Sequence, residues 1–376
     1  MTQDKTHKVP NVPPLRFPEF IGEWEKFGFA DHLERLENGA NYDTNATEGL
    51  PMSRIETIAS YNINYDKVGH CNSRNIEHYK MKYGDILFSH INSMSHIGKT
   101  AYYYAEQPLY HGMNLLLIRC KDNLNSLFFY YLLNTPLFLR YCQIYAKQAV
   151  NQASISTSDI KRIKLSLPTL HEQNKIASFI SVIDQRIATQ NKIIQHLESL
   201  IKGICKMLLA KQGNTFIKDC LVCNSSTLQE SSVLPCGKYP VYGATGISGY
   251  LDVPQVEHDA ILIIKDGAGV GNVRYATDKH GVIGTLNYLS AKNGYNLKYL
   301  YYCLRIFNFT PFVTGLAIPH IYFRDYGSSK IYCPSLTEQK HIANNLSNIE
   351  RKIENEKQLL EKLKEQKKYL LSQMFI

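Results

Sequence analysis

The stretch LPTLHEQNKIA, from Leu167 to Ala177, returns later in the chain as CPSLTEQKHIA, from Cys333 to Ala343. The two copies share a proline, a leucine, a glutamate–glutamine pair, an isoleucine and an alanine at matching positions. Glutamate and glutamine soon after a proline are typical of the first turn of a helix. The repeat therefore predicts two helices of one kind, each beginning where a copy begins.

Apolar residues continue beyond each copy at alternating spacings of four and three, which is the pattern of a coiled-coil seam. The first seam is Ile176, Ile180, Ile183, Ile187, Ile194, Leu197, Ile201, Ile204 and Leu208, interrupted by Gln190. The second is Ile342, Leu346, Ile349, Ile353, Leu360, Leu363, Leu370 and Met374, interrupted by Glu356 and Lys367. Each helix would have about 40 residues and span about 55–60 Å. Neither seam is satisfied alone, so we expect each to bury the other, with Gln190 and Glu356 in neighbouring central layers.

Short β-like runs broken by Gly, Asn and Ser fill the rest of the chain, such as Asp85–Phe88, Leu115–Arg119 and Ala260–Ile264. Aromatic, helix-like segments follow at Leu127–Leu133 and Leu297–Leu304. The predicted fold class is α+β: two globular domains, 1–166 and 214–332, alternate with two long helices, 167–213 and 333–376. We expect the helices to pair as an antiparallel coiled coil that relates the two halves by a pseudo-twofold axis.

The composition favours a protein of the cytoplasm with a polyanionic partner. The 376 residues carry 42 Lys and Arg against 33 Asp and Glu, a net charge of +9, together with 26 Tyr. The N-terminus lacks the apolar core of a signal peptide, and no run approaches the length of a membrane span. The nine cysteines are odd in number and scattered, which is typical of reduced thiols. The close pair Cys220 and Cys223, with Cys236 beyond, lacks a fourth ligand for zinc, so we expect no metal.

The order of several motifs resembles one known family, the specificity (S) subunit of type I restriction-modification systems. The motifs are LRFPEFIGEWE (Leu15–Glu25), SISTSDIKRIKLSLP (Ser154–Pro168), YPVYGATGISGYLD (Tyr239–Asp252) and the two helix starts. The resemblance covers the whole chain. It implies that each globule is a target-recognition domain for one half of a split duplex DNA sequence, and that the helices set the distance between the halves. The globules differ in sequence, so the full target should be asymmetric.

The same resemblance implies the partners and cofactors. Two methyltransferase (M) subunits, which methylate adenine, would dock on the helices, and restriction/translocase (R) subunits would complete the enzyme. S-adenosylmethionine would be bound by the methyltransferase, and ATP with Mg²⁺ by the restriction subunit, so that this chain holds no cofactor. DNA-mimicking inhibitor proteins are a further class of partner, and no membrane is involved.

Fragments that imitate catalytic or nucleotide-binding motifs are all incomplete. SMSHIGKT (Ser93–Thr100) has Ser93 where a phosphate-binding P-loop needs glycine, and a strand-like run follows it where the loop needs a helix. DGAGVGNV (Asp266–Val273) misses the third glycine of a dinucleotide loop, which leaves a Gly-rich β-turn or a turn that approaches phosphates as its interpretation. The sequence therefore predicts a chain without catalytic residues.

Candidate DNA contacts are polar side chains in loops, where Lys and Arg neutralise phosphates and Asn, Gln and Arg read base edges. In the first domain they are Arg74, His90, Asn92, His96, Lys99, Lys147, Gln148, Asn151 and Gln152. In the second they are Tyr242, Thr245, Lys265, Asn272, Arg274, His320, Tyr322 and Arg324.

The alternative hypothesis is a scaffold whose two globules bind proteins. The many tyrosines and the coiled coil would suit it, because tyrosine is frequent at protein interfaces. Loss of DNA affinity on removal of loop cations such as Lys99 and Arg274 distinguishes the two hypotheses.

Overall fold

The computed structural model describes residues 10–42, 46–59, 61–72, 76–148, 152–209 and 211–376. The chain forms two compact units, one of Met1–Thr189 with Leu360–Ile376 and one of Gln190–Leu359. We call them unit 1 and unit 2. Each long helix therefore contributes one part to each unit. In the described part of the chain, no helix has the length and apolar character needed to cross a membrane.

Unit 1 is built on an antiparallel sheet of four strands in the order β2-β8-β5-β7. The strands of this unit are β1 (Glu25–Gly28), β2 (Leu33–Asn38), β3 (Leu50–Met52), β4 (Gly69–Cys71), β5 (Ile86–Phe88), β6 (Ile91–Asn92), β7 (Thr100–Tyr102), β8 (Leu116–Cys120), β9 (Lys147–Gln148), β10 (Ala153–Ser154) and β11 (Lys164–Leu167). Its helices are α1 (Ser126–Leu133), α2 (Pro136–Tyr145), α3 (Thr157–Lys161) and the first part of α4 (Leu170–Leu209). Smaller sheets pair β1 with β11, β3 with β4, and β10 with both β6 and β9.

The core of unit 1 lies between the sheet and helix α1. Ile86 and Phe88 of β5 and Phe128 and Phe129 of α1 are fully buried in one apolar cluster. Helix α1 begins where the side chain of Asn125 accepts a hydrogen bond from the Phe128 amide at 2.8 Å, which satisfies a donor that the helix itself leaves free. The aromatic segment predicted as a helix is confirmed.

Unit 2 repeats this plan with other residues. Its strands are β12 (Thr215–Phe216), β13 (Leu221–Ser225), β14 (Tyr239–Gly243), β15 (Gly246–Leu251), β16 (Ala260–Ile264), β17 (Val273–Ala276), β18 (Gly281–Val282), β19 (Leu286–Ala291) and β20 (Lys330–Ile331). Its helices are the second part of α4, α5 (Ile217–Cys220), α6 (Leu297–Arg305), α7 (Phe323–Tyr326) and most of α8 (Leu336–Gln373). The main sheet is antiparallel in the order β13-β19-β16-β17, and β14 pairs with β15 and β18.

The two long helices are confirmed, with 40 residues in α4 and 38 in α8. Within unit 1, Asp184 of α4 forms an ion pair with Lys367 of α8 at 2.6 Å. Within unit 2, the amide of Gln190 donates to the side chain and the main-chain carbonyl of Glu356. The polar residues that interrupt the seams therefore contact partners on the other helix.

A glutamine from the repeated sequence ties each globule to the start of its own long helix. Gln173 donates to the Pro168 carbonyl at 3.0 Å and accepts from the main-chain N–H of Asn125 at 2.9 Å. In unit 2, Gln339 donates to the Pro334 carbonyl at 2.8 Å and accepts from the Asn296 amide at 2.9 Å. Asn125 and Asn296 cap α1 and α6, so each glutamine connects the start of an aromatic helix to the start of a long helix. We call this arrangement the glutamine clamp.

A tyrosine makes a second tie between each globule and its helix. Tyr131 of α1 donates to Asp184 at 2.9 Å, and Tyr302 of α6 donates to Glu350 at 2.6 Å. Asp184 and Glu350 occupy equivalent positions in the two sequence repeats. The repeat in sequence thus corresponds to a repeat in how each globule is fastened.

Candidate nucleic-acid interface

In unit 1, most of the predicted DNA contacts lie on two loops that meet. The first, His90–Lys99, joins β5 to β7 and is called the hairpin loop. The second runs from Lys147 to Ser154 and is called the flanking loop; its residues 149–151 lie outside the described residues. Strand β10 of the flanking loop pairs with β6 of the hairpin loop, which places Asn92 opposite Ala153, and Ala153 opposite Gln148.

In unit 2, three of the eight predicted contacts, Lys265, Asn272 and His320, lie on two loops that meet. The hairpin loop is Lys265–Asn272, between β16 and β17, and the flanking loop is Thr314–His320. Asp266 pairs with His320, which in turn pairs with Thr314. Lys265, His320 and Tyr322 are therefore neighbours, and Arg324 lies over the ring of Tyr322 at 4.7 Å from its centroid.

Main-chain hydrogen bonds show that the two pairs of loops are equivalent. The Ile155 amide donates to the His90 carbonyl at 2.9 Å in unit 1, and the Ile321 amide donates to the Lys265 carbonyl at 3.0 Å in unit 2. His90 and Lys265 thus hold the same place, although nothing in the sequence aligns them. SMSHIGKT and DGAGVGNV, the two imitations of nucleotide-binding loops, contribute to the same hairpin in the two units, and both are followed by strands.

The backbone of each hairpin requires glycine, at Gly98 in unit 1 and at Gly267, Gly269 and Gly271 in unit 2. Gly98 has φ +81° and Gly271 has φ +85°, values that side chains other than glycine rarely adopt. A Cβ at Gly98 would lie 2.9 Å from Cys142, and one at Gly271 would lie 2.8 Å from Phe309. The glycines therefore allow each hairpin to close tightly against its globule, which confirms the Gly-rich turn at 266–273.

His90 corrects the sequence interpretation. The residue is 5% exposed, and burial lowers its pKa to about 4, opposed by a hydrogen bond that the ring donates to the main chain of Phe88. A neutral imidazole inside the globule is not available to a duplex. The prediction failed because a polar residue directly after a buried strand looks like the start of an exposed loop.

The other predicted contacts of unit 1 differ in how they are held. Lys147, Gln148 and Gln152 are exposed. The Nδ1 atom of His96 lies 3.1 Å from the Ser93 hydroxyl. Lys99 donates to the Ala59 carbonyl at 2.9 Å, so its ammonium is already oriented. Arg74 and Asn151 lie outside the described residues.

In unit 2, Arg274 supports a turn. Its guanidinium donates to the Gly243 carbonyl at 3.3 Å and the Ala244 carbonyl at 2.9 Å, at the turn between β14 and β15. Tyr242 and Thr245 belong to that same turn region. Arg274 thus joins these two residues to the β16–β17 hairpin, where Asn272 is exposed.

The flanking loop of unit 2 carries a feature that the sequence analysis missed. Leu316 has a relative exposure of 108%, and Ile318 has 65%. The signal was present in TGLAIPH (Thr314–His320), where apolar residues stand between turn-forming glycine and proline. In a sequence, however, short apolar runs of this kind are also typical of a strand in the core. No group of three or more His, Cys, Asp or Glu side chains suited to a metal ion occurs among the described residues.

Comparison with known proteins supports the internal repeat. The family model described as the type I restriction modification DNA specificity domain matches the chain twice, over residues 23–199 and 201–365. A relative from Methanocaldococcus jannaschii, provisionally named the type I restriction enzyme MjaX specificity subunit, is 40% identical over 213 residues. That match spans 54% of this chain and 50% of the relative, so the chain covers only about half the length of this curated protein. The Escherichia coli EcoprrI specificity subunit is 29% identical over 111 residues, 28% of this chain and 26% of that protein.

Two solved structures share the fold over nearly the whole chain. The S subunit of a type I restriction-modification system from M. genitalium has a TM-score of 0.64 at 20% identity, covering 97% of this chain and 99% of that one. A chain from a structure on complex assembly of a type I R-M system has a TM-score of 0.57 at 14% identity, with coverage of 96% and 99%. At these identities the likeness establishes the fold alone. The family model matches most of the chain, once in each half of the internal repeat. The chain therefore belongs to the type I restriction-modification DNA specificity domain family.

Proposed function

We propose that the chain is the non-catalytic DNA-specificity subunit of a type I restriction-modification complex. Each globule reads one half of a bipartite duplex sequence through its hairpin and flanking loops. The observation that carries the proposal is the equivalence of these two loop pairs, which share a backbone arrangement and differ in side chains. Equivalent frames with different polar residues suit two half-sites of different sequence, and hence an asymmetric target.

The long helices act as the spacer between the two readers. We infer that α4 and α8 form an antiparallel coiled coil, with the globules 1–166 and 214–332 related by a pseudo-twofold axis. The Asp184–Lys367 and Gln190–Glu356 contacts support this pairing, because a polar layer in a seam fixes its register. The proposed segments 167–213 and 333–376 contain the two helices.

The partners follow from the family. Two methyltransferase subunits, which would bring S-adenosylmethionine and methylate adenine, dock on the helices, and restriction subunits would bring ATP and Mg²⁺. DNA-mimicking inhibitors would compete for the same loops. In this proposal the complex works in the cytoplasm.

The test uses the purified full chain with its partner methyltransferase and S-adenosylmethionine on DNA of random sequence. Mapping the methylated adenines should return one split, asymmetric sequence, and omission of this chain should abolish methylation. Methylation at an unsplit site, or none, would contradict the proposal.

Lys265→Ala tests the loops directly, because Lys265 lies in the unit 2 hairpin loop. Its ammonium lies 3.5 Å from Asp266 and, among the described residues, makes no contact that holds a turn. If Lys265 neutralises one phosphate, the negative slope of log affinity against log salt should become shallower by about 0.9 in Lys265→Ala. Lys26→Ala, at an exposed position of β1, is the control and should leave the slope unchanged. Arg274→Ala is less suitable, since the loss of its bonds to two carbonyls would also disturb the β14–β15 turn.

A further inference from the structure

The flanking loop of unit 2 presents two apolar side chains at its surface. Leu316 is as exposed as in an extended peptide, at 108%, and Ile318 stands two residues away at 65%. Large apolar side chains that project singly need no explanation, but these two lie on one loop beside the hairpin loop of the proposed reading surface, which makes them a candidate contact.

The base of the tip is held by several hydrogen bonds. The amide of Thr314 donates to the His320 carbonyl at 2.9 Å, and the amide of His320 donates back at 2.8 Å. The imidazole of His320 donates to the Ile318 carbonyl at 3.2 Å, and the Gly267 amide donates to the Pro319 carbonyl at 2.8 Å. A loop whose base is fixed in this way loses less conformational entropy on binding than a loop that is free at both ends.

The position of the tip favours DNA as its partner over a protein. Lys265, whose main-chain carbonyl accepts from Ile321 next to the loop, belongs to the hairpin loop of the proposed reading surface. Arg324 is exposed and lies over the ring of Tyr322. Each cation has a carboxylate 3.5 Å away, Asp266 for Lys265 and Asp325 for Arg324, so the charges are locally balanced, and DNA as the ligand follows from the place of the tip beside the proposed reading hairpin.

The shape of the loop selects the major groove. Thr314 and His320 form the two sides of a short antiparallel ribbon. Asp266 pairs with the other side of His320, so three backbones about 4.8 Å apart lie side by side at the base of the tip. That base is too wide for the minor groove of about 6 Å, whereas the major groove of about 12 Å admits the tip. In that groove, the C5-methyl group of thymine is the apolar feature of the base edges.

We propose that Leu316 is a specificity-determining residue of the second half-site and reads thymine through its C5-methyl group. This inference rests on the proposed function and adds to it one base and one residue. It also predicts that the preference disappears when the methyl group is removed from the DNA, whatever the rest of the sequence.

The experiment is a selection from a pool of random duplexes with the full chain and its partner methyltransferase, followed by affinity measurements. The duplex selected by the wild type is then remade with deoxyuridine in place of each thymine, one thymine at a time. Wild type should bind about fourfold more weakly when deoxyuridine replaces the thymine read by Leu316. Leu316→Ala should weaken binding to the thymine duplex by a similar factor and be insensitive to that replacement.

Two control variants accompany these measurements. Leu316→Met keeps an apolar side chain and should retain most of the preference for thymine. Val253→Ala removes another exposed apolar side chain of unit 2, which is 75% exposed, and should change nothing.

The outcomes separate the inference from the proposed function. If the wild type selects no split sequence, the proposed function fails. If it selects one, but Leu316→Ala binds as the wild type does, the reading by Leu316 is wrong. The reading is also wrong if Leu316→Ala weakens thymine and deoxyuridine duplexes equally, which would indicate a wedge between bases, or if it weakens only assembly with the methyltransferase.

Discussion

At the scale of single residues, the two units treat one repeated glutamate in different ways. Glu172 is buried, and Arg16 donates to both of its carboxylate oxygens at 2.7 Å. Glu338, the equivalent residue in the second copy, is exposed. The chain segment before Trp24 thus covers the start of α4, and its arginine neutralises a charge that would otherwise be buried alone.

We expect Glu172→Gln to lower the free energy of unfolding by about 2–4 kcal/mol, because it leaves the partly buried Arg16 without its counter-charge. Glu338→Gln, the matched control, should change it by less than about 0.5 kcal/mol. Urea unfolding of both variants measures the difference. Equal effects would mean that the ion pair contributes nothing beyond surface charge.

The pH dependence of stability should report a buried histidine of unit 1. His111 is fully buried, and its Nε2 atom donates to the Leu115 carbonyl at 3.0 Å. Burial lowers its pKa to about 4, helped by the nearby Arg35 and His90 and opposed by the hydrogen bond to Leu115. In the unfolded chain this pKa is about 6.5.

As the pH falls from about 6.5 to about 4, the unfolded state therefore binds a proton that the folded state refuses. Stability should be complete above pH 6.5 and decrease below it, by up to about 1.4 kcal/mol for each pH unit. His111→Gln should show a shallower decrease in urea midpoints between pH 7 and pH 5. His258→Gln, the same substitution at an exposed position, is the control.

At the scale of elements, the glutamine clamp connects each aromatic helix to a long helix. Its glutamines are almost fully buried, with exposures of 2% for Gln173 and 1% for Gln339. The amide group supplies one donor and one acceptor to two main-chain groups that would otherwise lack partners. A buried polar group without a hydrogen-bond partner costs about 1–3 kcal/mol. The clamp therefore stabilises the fold by giving a partner to these two main-chain groups.

Gln173→Ala and Gln339→Ala should therefore each lower stability by about 2–4 kcal/mol, in unit 1 and unit 2 respectively. Hydrogen exchange should detect the loss at the first turn of α1 in one variant and of α6 in the other. Gln185→Ala, at an exposed position of α4, serves as the control. Loss of protection spread evenly over both units would contradict a local clamp.

The helices were predictable from sequence because their seams obey a short-range rule: Ile180 and Ile183 are buried as their spacing required. The equivalence of the hairpin loops was not predictable. It rests on main-chain hydrogen bonds, and the two loops differ in length and share little beyond Gly98 and Gly271. The ties through Tyr131 and Asp184 were missed for a related reason, since they join residues far apart in the chain.

At the scale of the whole molecule, the length of the helices should set the spacing of the two half-sites. Insertion of one heptad beside Gln190 together with one beside Glu356 would add about 10.5 Å, or about three base pairs at about 3.4 Å each. We expect the methylated target to keep both half-sites and gain that spacer. An unchanged spacer would show that the helices do not set the distance.

An insertion in only one helix is the control for this experiment. It shifts one seam against the other, so that Gln190 and Glu356 no longer meet. This variant should lose stability and methylation together, as circular dichroism and adenine mapping would show.

Each loop pair is fastened to its globule by backbone atoms, as between Ile155 and His90 or Ile321 and Lys265. Under the proposed function, mutations at the tips would change which side chain meets the DNA and leave those fastenings intact. A lineage of cells would in this way acquire a new recognition sequence by single codon changes, one half-site at a time. The inherited frame, and with it the proposed attachment of the other subunits, would stay the same.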